Sequence, residues 1–157
     1  MRLAPQELRT YFTTFSTADR IPLFQRSSYA NLMMETLQHY RAAGRYELHA
    51  YVVMPDHLHL LLTPAPDVSL EKTLQYIRGG FSFRAHGAGT VWERGHFDKR
   101  VPDLGAYQKC VTYIEQNPVK ARLCVAAEEY PYSSAHPSRQ IGRMPDWLGR
   151  PEAKASF

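Results

Sequence analysis

The sequence predicts an α+β domain built on one antiparallel sheet, and two observations predict it. Stretches of strand-like alternation and of helical periodicity follow one another in the order β-α-β-β-α-β, with one further helix behind them. Two of the strands are separated only by Pro55-Asp56, a turn dipeptide short enough to pair them as a hairpin. With 157 residues the chain can enclose one sizeable core, so a single domain over 1–157 is expected.

The elements follow in order. YFTTFST at 11–17 is β-branched and aromatic and reads as a strand, after which Asp19 to Pro22 turns the chain. With Ser27 or Ser28 as N-cap, Tyr29, Met33, Leu37 and Tyr40 recur at helical spacing until Gly44 offers a stop. YELHAYVVM at 46–54 and HLHLLLT at 57–63 form the hairpin strands. A second helix, capped by Ser69 or Asp67 and marked by Leu70, Leu74 and Ile77, is expected to fade at Gly79-Gly80. Gly87, Gly89 and Gly95 indicate a loop, and Phe97 to Val101 can supply a fourth strand. A last helix begins near Asp103, with Leu104, Tyr107, Cys110, Val111 and Ile114 on one face, and Pro118 is expected to end or kink it. From Glu128 the remainder, 128–157, reads as an irregular C-terminal tail wrapping the domain. This order is that of a ferredoxin-like split βαβ (RRM-like) domain: helices on one sheet face, the other face open to a ligand, and an additional C-terminal helix carrying Tyr113.

Composition narrows the function. A hydrophobic share of 44% is ordinary for a globular protein, and no apolar run approaches the roughly 18 residues of a membrane span. The opening MRLAPQELRTYF lacks a signal peptide's apolar core, so a cytoplasmic protein is expected. Cys110 and Cys124 have neither zinc-site spacing nor disulfide-scaffold density and read as buried free thiols. The net charge of +4 is concentrated: residues 71–122 carry nine Lys/Arg against five Asp/Glu, while the segments before and after are balanced. Those cations are interleaved with Tyr76, Phe81, Phe83, Trp92, Phe97, Tyr107 and Tyr113. Cations that follow a phosphate backbone, beside rings that accept unstacked bases, fit a single-stranded nucleic acid.

His57 and His59 stand two apart on a predicted strand, so both imidazoles leave one sheet face while Leu58, Leu60 and Leu62 leave the other. An isolated HxH is more often a pair of hydrogen-bonded histidines than a metal site, so a metal reading needs a second, independent feature. Tyr113 lies on the flank of its helix, roughly 120° from the apolar stripe, and Asn117 follows one turn later on the same flank. Two imidazoles and an amide oxygen leave coordination positions open and suit Mn²⁺ or Mg²⁺, with Zn²⁺ as an alternative. A cation on a phosphodiester offsets the charge that repels a nucleophile, and a tyrosine can attack to give a reversible phosphotyrosine bond. A non-catalytic single-stranded nucleic-acid-binding module on the same sheet is the alternative, and it leaves the HLH-tyrosine pairing unexplained. A phosphodiesterase with two HxT motifs is disfavoured, because no histidine here begins one.

YVVMPDHLHLLLTP, followed by YIEQNPVKARLC, closely resembles the paired motifs of the REP-associated tyrosine transposases, within the single-tyrosine HUH (IS200-like) transposase superfamily. FTTFSTADRIPLF, SFRAHGAGTVWERGHFDKRV and YPYSSA look like further family segments in the right order, so the likeness covers nearly the whole chain. The resemblance implies a metal-dependent endonuclease and strand transferase that acts on single-stranded or hairpin DNA. It places the nucleophile that forms a 5′-phosphotyrosine on Tyr113, and the metal ligands on His57, His59 and Asn117. Arg84, Arg94, Lys99 and Arg100 are expected, from charge and position, to line the DNA cleft. A monomer that assembles its own site is expected, with a homodimer as the alternative. The chain departs from the family pattern in having Asp56 where Asn is usual before the first histidine, and Glu115 where His is frequent.

Overall fold

The computed structural model describes residues 8–139. Four strands, β1 (Thr10–Ser16), β2 (Tyr46–Met54), β3 (His57–Pro64) and β4 (Phe97–Val101), form one sheet in the order β2-β3-β1-β4, with every neighbouring pair antiparallel. Three helices accompany them: α1 (Ser27–Ala42), α2 (Leu70–Arg84) and α3 (Leu104–Lys120). The expected α+β, split βαβ order is the one observed.

Alternation on β3 divides the interior in two. Leu58, Leu60 and Leu62 enter a core with Phe15, Phe24, Met33, Leu37, Leu74, Ile77 and Phe81, beneath α1 and α2. Leu61 enters a second core with Phe12, Ala50, Val52, Met54 and Val101, closed by Tyr107 and Ile114 of α3. The face expected to be open is therefore partly covered. Its apolar residues on β2 need a partner, and the stripe of α3 supplies one; what stays accessible lies toward β1 and β4.

Three local expectations are corrected. The cap of α1 is Arg26, whose side chain makes no capping bond: a 3-10 turn at Leu23–Gln25 runs directly into the helix, so Ser27 and Ser28 fall inside its first turn. The second helix does not fade at Gly79-Gly80 but continues to Arg84, and a Cβ on Gly80 would come within 2.6 Å of the Tyr40 ring. That glycine serves close packing of α2 on α1. Pro118 does not end α3, which runs on to Lys120; so near the C-terminus a missing N–H removes at most one bond, and the Asn117 carbonyl still accepts from Ala121 N–H at 3.0 Å.

The described part of the expected tail follows the outer edge of β2. Ser133 bridges Val52, the Tyr132 carbonyl accepts from Val53 N–H at 2.8 Å, and the Tyr130 hydroxyl donates to the Val53 carbonyl at 2.7 Å. Residues 140–157 of that tail lie outside the described residues. No helix among the described residues is long and apolar enough to cross a membrane.

Candidate active site

The hairpin turn and the register of β3 place the two histidines side by side. His57 is opposite Ser16 of β1 and Met54 of β2, and His59 is opposite Thr14 and Val52. Both share the parity of Leu61 and so face α3. Their ring centroids are 4.8 Å apart and the planes nearly perpendicular, at 79°.

Each imidazole is held through Nδ1. His57 Nδ1 lies 2.7 Å from Asp56 Oδ1, and the other oxygen of that carboxylate accepts from Arg20 Nε at 3.0 Å. Burial works against the Asp56 charge, but the hydrogen bonds from His57 and Arg20 outweigh it and hold the carboxyl below its ordinary value. A carboxylate only accepts, so His57 donates from Nδ1, which leaves Nε2 as the ring nitrogen turned away from Asp56. His59 Nδ1 lies 2.7 Å from Thr14 Oγ1. Burial, helped by the neighbouring His57, pushes the His59 imidazole down to about 3, so it is neutral at physiological pH.

Tyr113 reaches this pair from α3. Its side chain is 47% exposed, and its ring stands edge-on to His59 at 5.2 Å between centroids and to Phe12 at 5.7 Å. Phe12 itself stacks on His59 at 5.5 Å with planes 19° apart, so the phenylalanine backs both groups. Asn117, half-buried, follows on the flank that Tyr113 occupies. Glu115, two residues beyond Tyr113, is turned about 200° around the helix; burial and then Glu128 push its carboxyl up. It faces the 3-10 turn at Ala127–Glu129 and not the histidines.

The four cations separate. Lys99 is opposite Phe12 in the β1–β4 register and shares its face, and Arg100 also borders the cleft beside Tyr113. Arg94 follows Glu93, whose N–H donates to the Ser16 carbonyl at 2.9 Å, so its loop is tied to the His57 end of the sheet. Arg84 lies in the layer of α1 and α2 across the sheet, donating to the Gly80 carbonyl at 3.0 Å and covering the Tyr40 ring at 5.5 Å. That packing separates it from the cleft it was expected to line.

The donor chemistry suits a divalent ion. Two imidazoles with Nδ1 occupied turn their Nε2 atoms to one sheet face, and a carboxylate behind a ligating histidine is the usual support of a metal site. Among the described residues no three His, Cys, Asp or Glu side chains gather into a metal-holding group.

Sequence reasoning missed Phe12, Thr14 and Arg20. Each is brought to the histidines by pairing with a distant strand or by the hairpin turn, and only the alternation of Phe12 and Thr14 on β1 hinted at a shared face.

A family model described as "Transposase IS200 like" matches residues 7–117. A REP-associated tyrosine transposase of Escherichia coli K12 is 29% identical over 106 residues, covering 66% of this chain and 64% of that protein. The chain thus spans less than two thirds of that relative's length in the match. A candidate REP-associated tyrosine transposase of Haemophilus influenzae is 26% identical over 165 residues, covering 92% of this chain and 90% of the relative. Among solved structures, a REP-associated tyrosine transposase bound to a REP hairpin shares the fold, with a TM-score of 0.72 and 22% identity, covering 93% of this chain and 91% of that one.

Proposed function

Since the chain belongs to the family of IS200-like transposases, we propose that it is a metal-dependent nuclease and strand transferase for single-stranded, hairpin-forming DNA, with Tyr113 as its nucleophile. The observation that carries this reading is the placement of the half-exposed Tyr113 ring against His59, 5.2 Å between centroids. A helix-flank tyrosine and a strand histidine, remote in sequence, meet where an open cleft begins. The hairpin as substrate is supported by the fold neighbour's bound DNA and by the names of the two relatives.

His57, His59 and Asn117 would hold the ion. Bound there, Mg²⁺ or Mn²⁺ would withdraw charge from a nonbridging phosphate oxygen and fix the phosphate's orientation. The protein's own groups do the rest. Asp56 accepts from His57 Nδ1 and Thr14 hydrogen-bonds His59 Nδ1, so both rings are held by that nitrogen with Nε2 on the other side. Phe12 packs beneath Tyr113 and His59, limiting the rotation of both rings. The Tyr113 oxygen gives up its phenolic proton to solvent as it bonds to phosphorus, the P–O3′ bond breaks, and the departing 3′ oxygen takes up a proton from solvent to become the free hydroxyl, with no net change in protons. The product is a 5′-phosphotyrosine, which a DNA 3′-hydroxyl can reverse. All these residues come from one chain, which is why a monomer suffices for this step.

Labelled hairpin oligonucleotides with single-stranded flanks, incubated with Mn²⁺ or EDTA and run on a denaturing gel, test the proposal. A slow-migrating adduct is expected that needs Mn²⁺ and disappears in Tyr113→Phe, while that variant still binds the oligonucleotide. Binding that ignores the metal, with no adduct from the wild type on any substrate, leaves the non-catalytic module in its place.

A further inference from the structure

The cleft beside Tyr113 holds three side chains that the cleavage chemistry does not use, Phe97, Lys99 and Lys109. It lies between β4 and the first half of α3, has a volume of about 620 Å³, and includes Phe12, Phe97, Lys99, Lys109, Cys110 and Tyr113 in its lining. That volume is within the range of small-molecule sites, roughly 300–1,000 Å³.

Its aromatic content is exposed, and none of the described residues covers it. Phe97 is 57% exposed on a strand that forms the sheet's edge, where a buried phenylalanine or a polar residue would be ordinary. Its ring meets Phe12 edge-on, 6.4 Å between centroids and 69° between planes, which leaves the ring's faces uncovered by Phe12. Tyr113 approaches Phe12 in the same edge-on manner at 79°. Two half-exposed rings thus rise from one buried phenylalanine. Around them cations outnumber the carboxylate of Asp103: Arg100 borders the cleft, Lys99 shares the Phe12 face of β4, and Lys109 lies one turn of α3 before Tyr113.

We infer that this cleft is a base-binding subsite that takes one unpaired nucleobase adjacent to the phosphate attacked by Tyr113, stacked on Phe97, with Lys99 and Lys109 on the flanking backbone. The inference rests on the proposed nuclease reading for the position of the phosphate. An unpaired base is the occupant the chemistry selects: a flat apolar face for the phenylalanine, joined to a negative backbone for the lysines. A protein segment would match the ring but not the two cations. The site would require the DNA next to the cleaved bond to be single-stranded, because a paired base could not leave its stack to enter.

The test uses Tyr113→Phe protein, which keeps the ring but cannot react, and a DNA hairpin with single-stranded oligothymidine flanks. The same hairpin with abasic flanks of equal length and charge is the comparison. The thymidine flanks are expected to bind about tenfold more tightly, as one base–ring stack would give. The preference should disappear in Phe97→Ala and return in Phe97→Trp. Lys99→Gln should weaken both ligands alike and lower the slope of log K against log salt by about 0.7. Equal affinity for the two flanks, or a preference that survives Phe97→Ala, overturns the subsite. The adduct assay on the wild type is separate: an adduct without base preference overturns the subsite alone, and base preference without an adduct overturns the nuclease reading alone.

Discussion

Asp56 and His57 are adjacent in sequence and joined through their side chains, Oδ1 to Nδ1 at 2.7 Å, while the second carboxylate oxygen binds Arg20. The aspartate is thus neither a bare turn residue nor a ligand aimed at a cation. It orients the first histidine from behind and ties that histidine to the turn after β1. Only one of its two functions needs a charge. An asparagine keeps an oxygen for His57 Nδ1–H and loses the ion pair with Arg20, so Asp56→Asn should change Mn²⁺ affinity only a few-fold. Asp56→Ala removes the support altogether and should cost about 10- to 100-fold. Titration calorimetry of the three proteins with Mn²⁺ decides the matter, and equal affinities for Ala and Asp would leave the hydrogen bond without a role at the metal.

Thr14 does for His59 what Asp56 does for His57, but with a hydroxyl that can donate as well as accept. Thr14→Val keeps the shape and deletes the partner, so the His59 ring loses the hydrogen bond that fixes its orientation. Mn²⁺ affinity should fall about tenfold, near the low end for supporting groups of this kind, and Thr14→Ser should recover most of it. Thr14 is only partly buried, so the valine variant should melt close to the wild type; a large loss of stability would assign the effect to folding instead.

A ligand that binds only the folded chain raises the melting temperature by mass action, and the gain grows with concentration: about 2.7 kcal/mol at a hundred times Kd. Mn²⁺ should therefore raise the Tm of the wild type in a concentration-dependent way. His57→Ala and His59→Ala should lose that increment, whereas Tyr113→Phe should keep it, because the phenol is not among the proposed ligands. Differential scanning fluorimetry with and without EDTA reads all four proteins. A Tm rise that persists in both histidine variants would move the metal elsewhere.

The strands were readable because their signals are local. Alternation and turn residues define 46–54 and 97–101, and the observed β2 and β4 have those bounds. The coverage of the second sheet face by α3 was also written in β2, whose apolar residues occupy both parities: Tyr51 and Val53 on one side, Ala50, Val52 and Met54 on the other. Such a run belongs to a strand buried on both faces. The meeting of Tyr113 with His59 was anticipated from motif and helix flank together. Phe12 and Thr14 were not, since their roles arise from a register between β1 and β3 that no single stretch of sequence specifies, nor was Arg20, which meets Asp56 from the turn after β1. Arg84 shows the same limit from the other side: a charge count cannot tell a cation at a cleft from one packed on Tyr40 across the sheet.

Gly79 and Gly80 looked alike as helix breakers, yet their surroundings differ. A Cβ at Gly79 would meet nothing within 4 Å, while one at Gly80 would come within 2.6 Å of Tyr40 Cε2 and Oη. Tyr40 has little freedom to withdraw, because its ring is stacked on Tyr76 at 5.4 Å and covered by the Arg84 guanidinium at 5.5 Å. Helix propensity favours alanine over glycine by about 1 kcal/mol at either position. At Gly79 that gain is unopposed, so Gly79→Ala should stabilise the fold by up to about 1 kcal/mol. At Gly80 the overpacking term, about 1–3 kcal/mol, outweighs it, and Gly80→Ala should be neutral to destabilising by about 2 kcal/mol. Urea denaturation of the two single variants checks the sign at each site. A double variant, Gly80→Ala with Tyr40→Ala, should be relieved of the clash and show less loss than the sum of its parts. If Gly80→Ala instead stabilised as much as Gly79→Ala, the close approach of α2 to α1 would not be what keeps a glycine there.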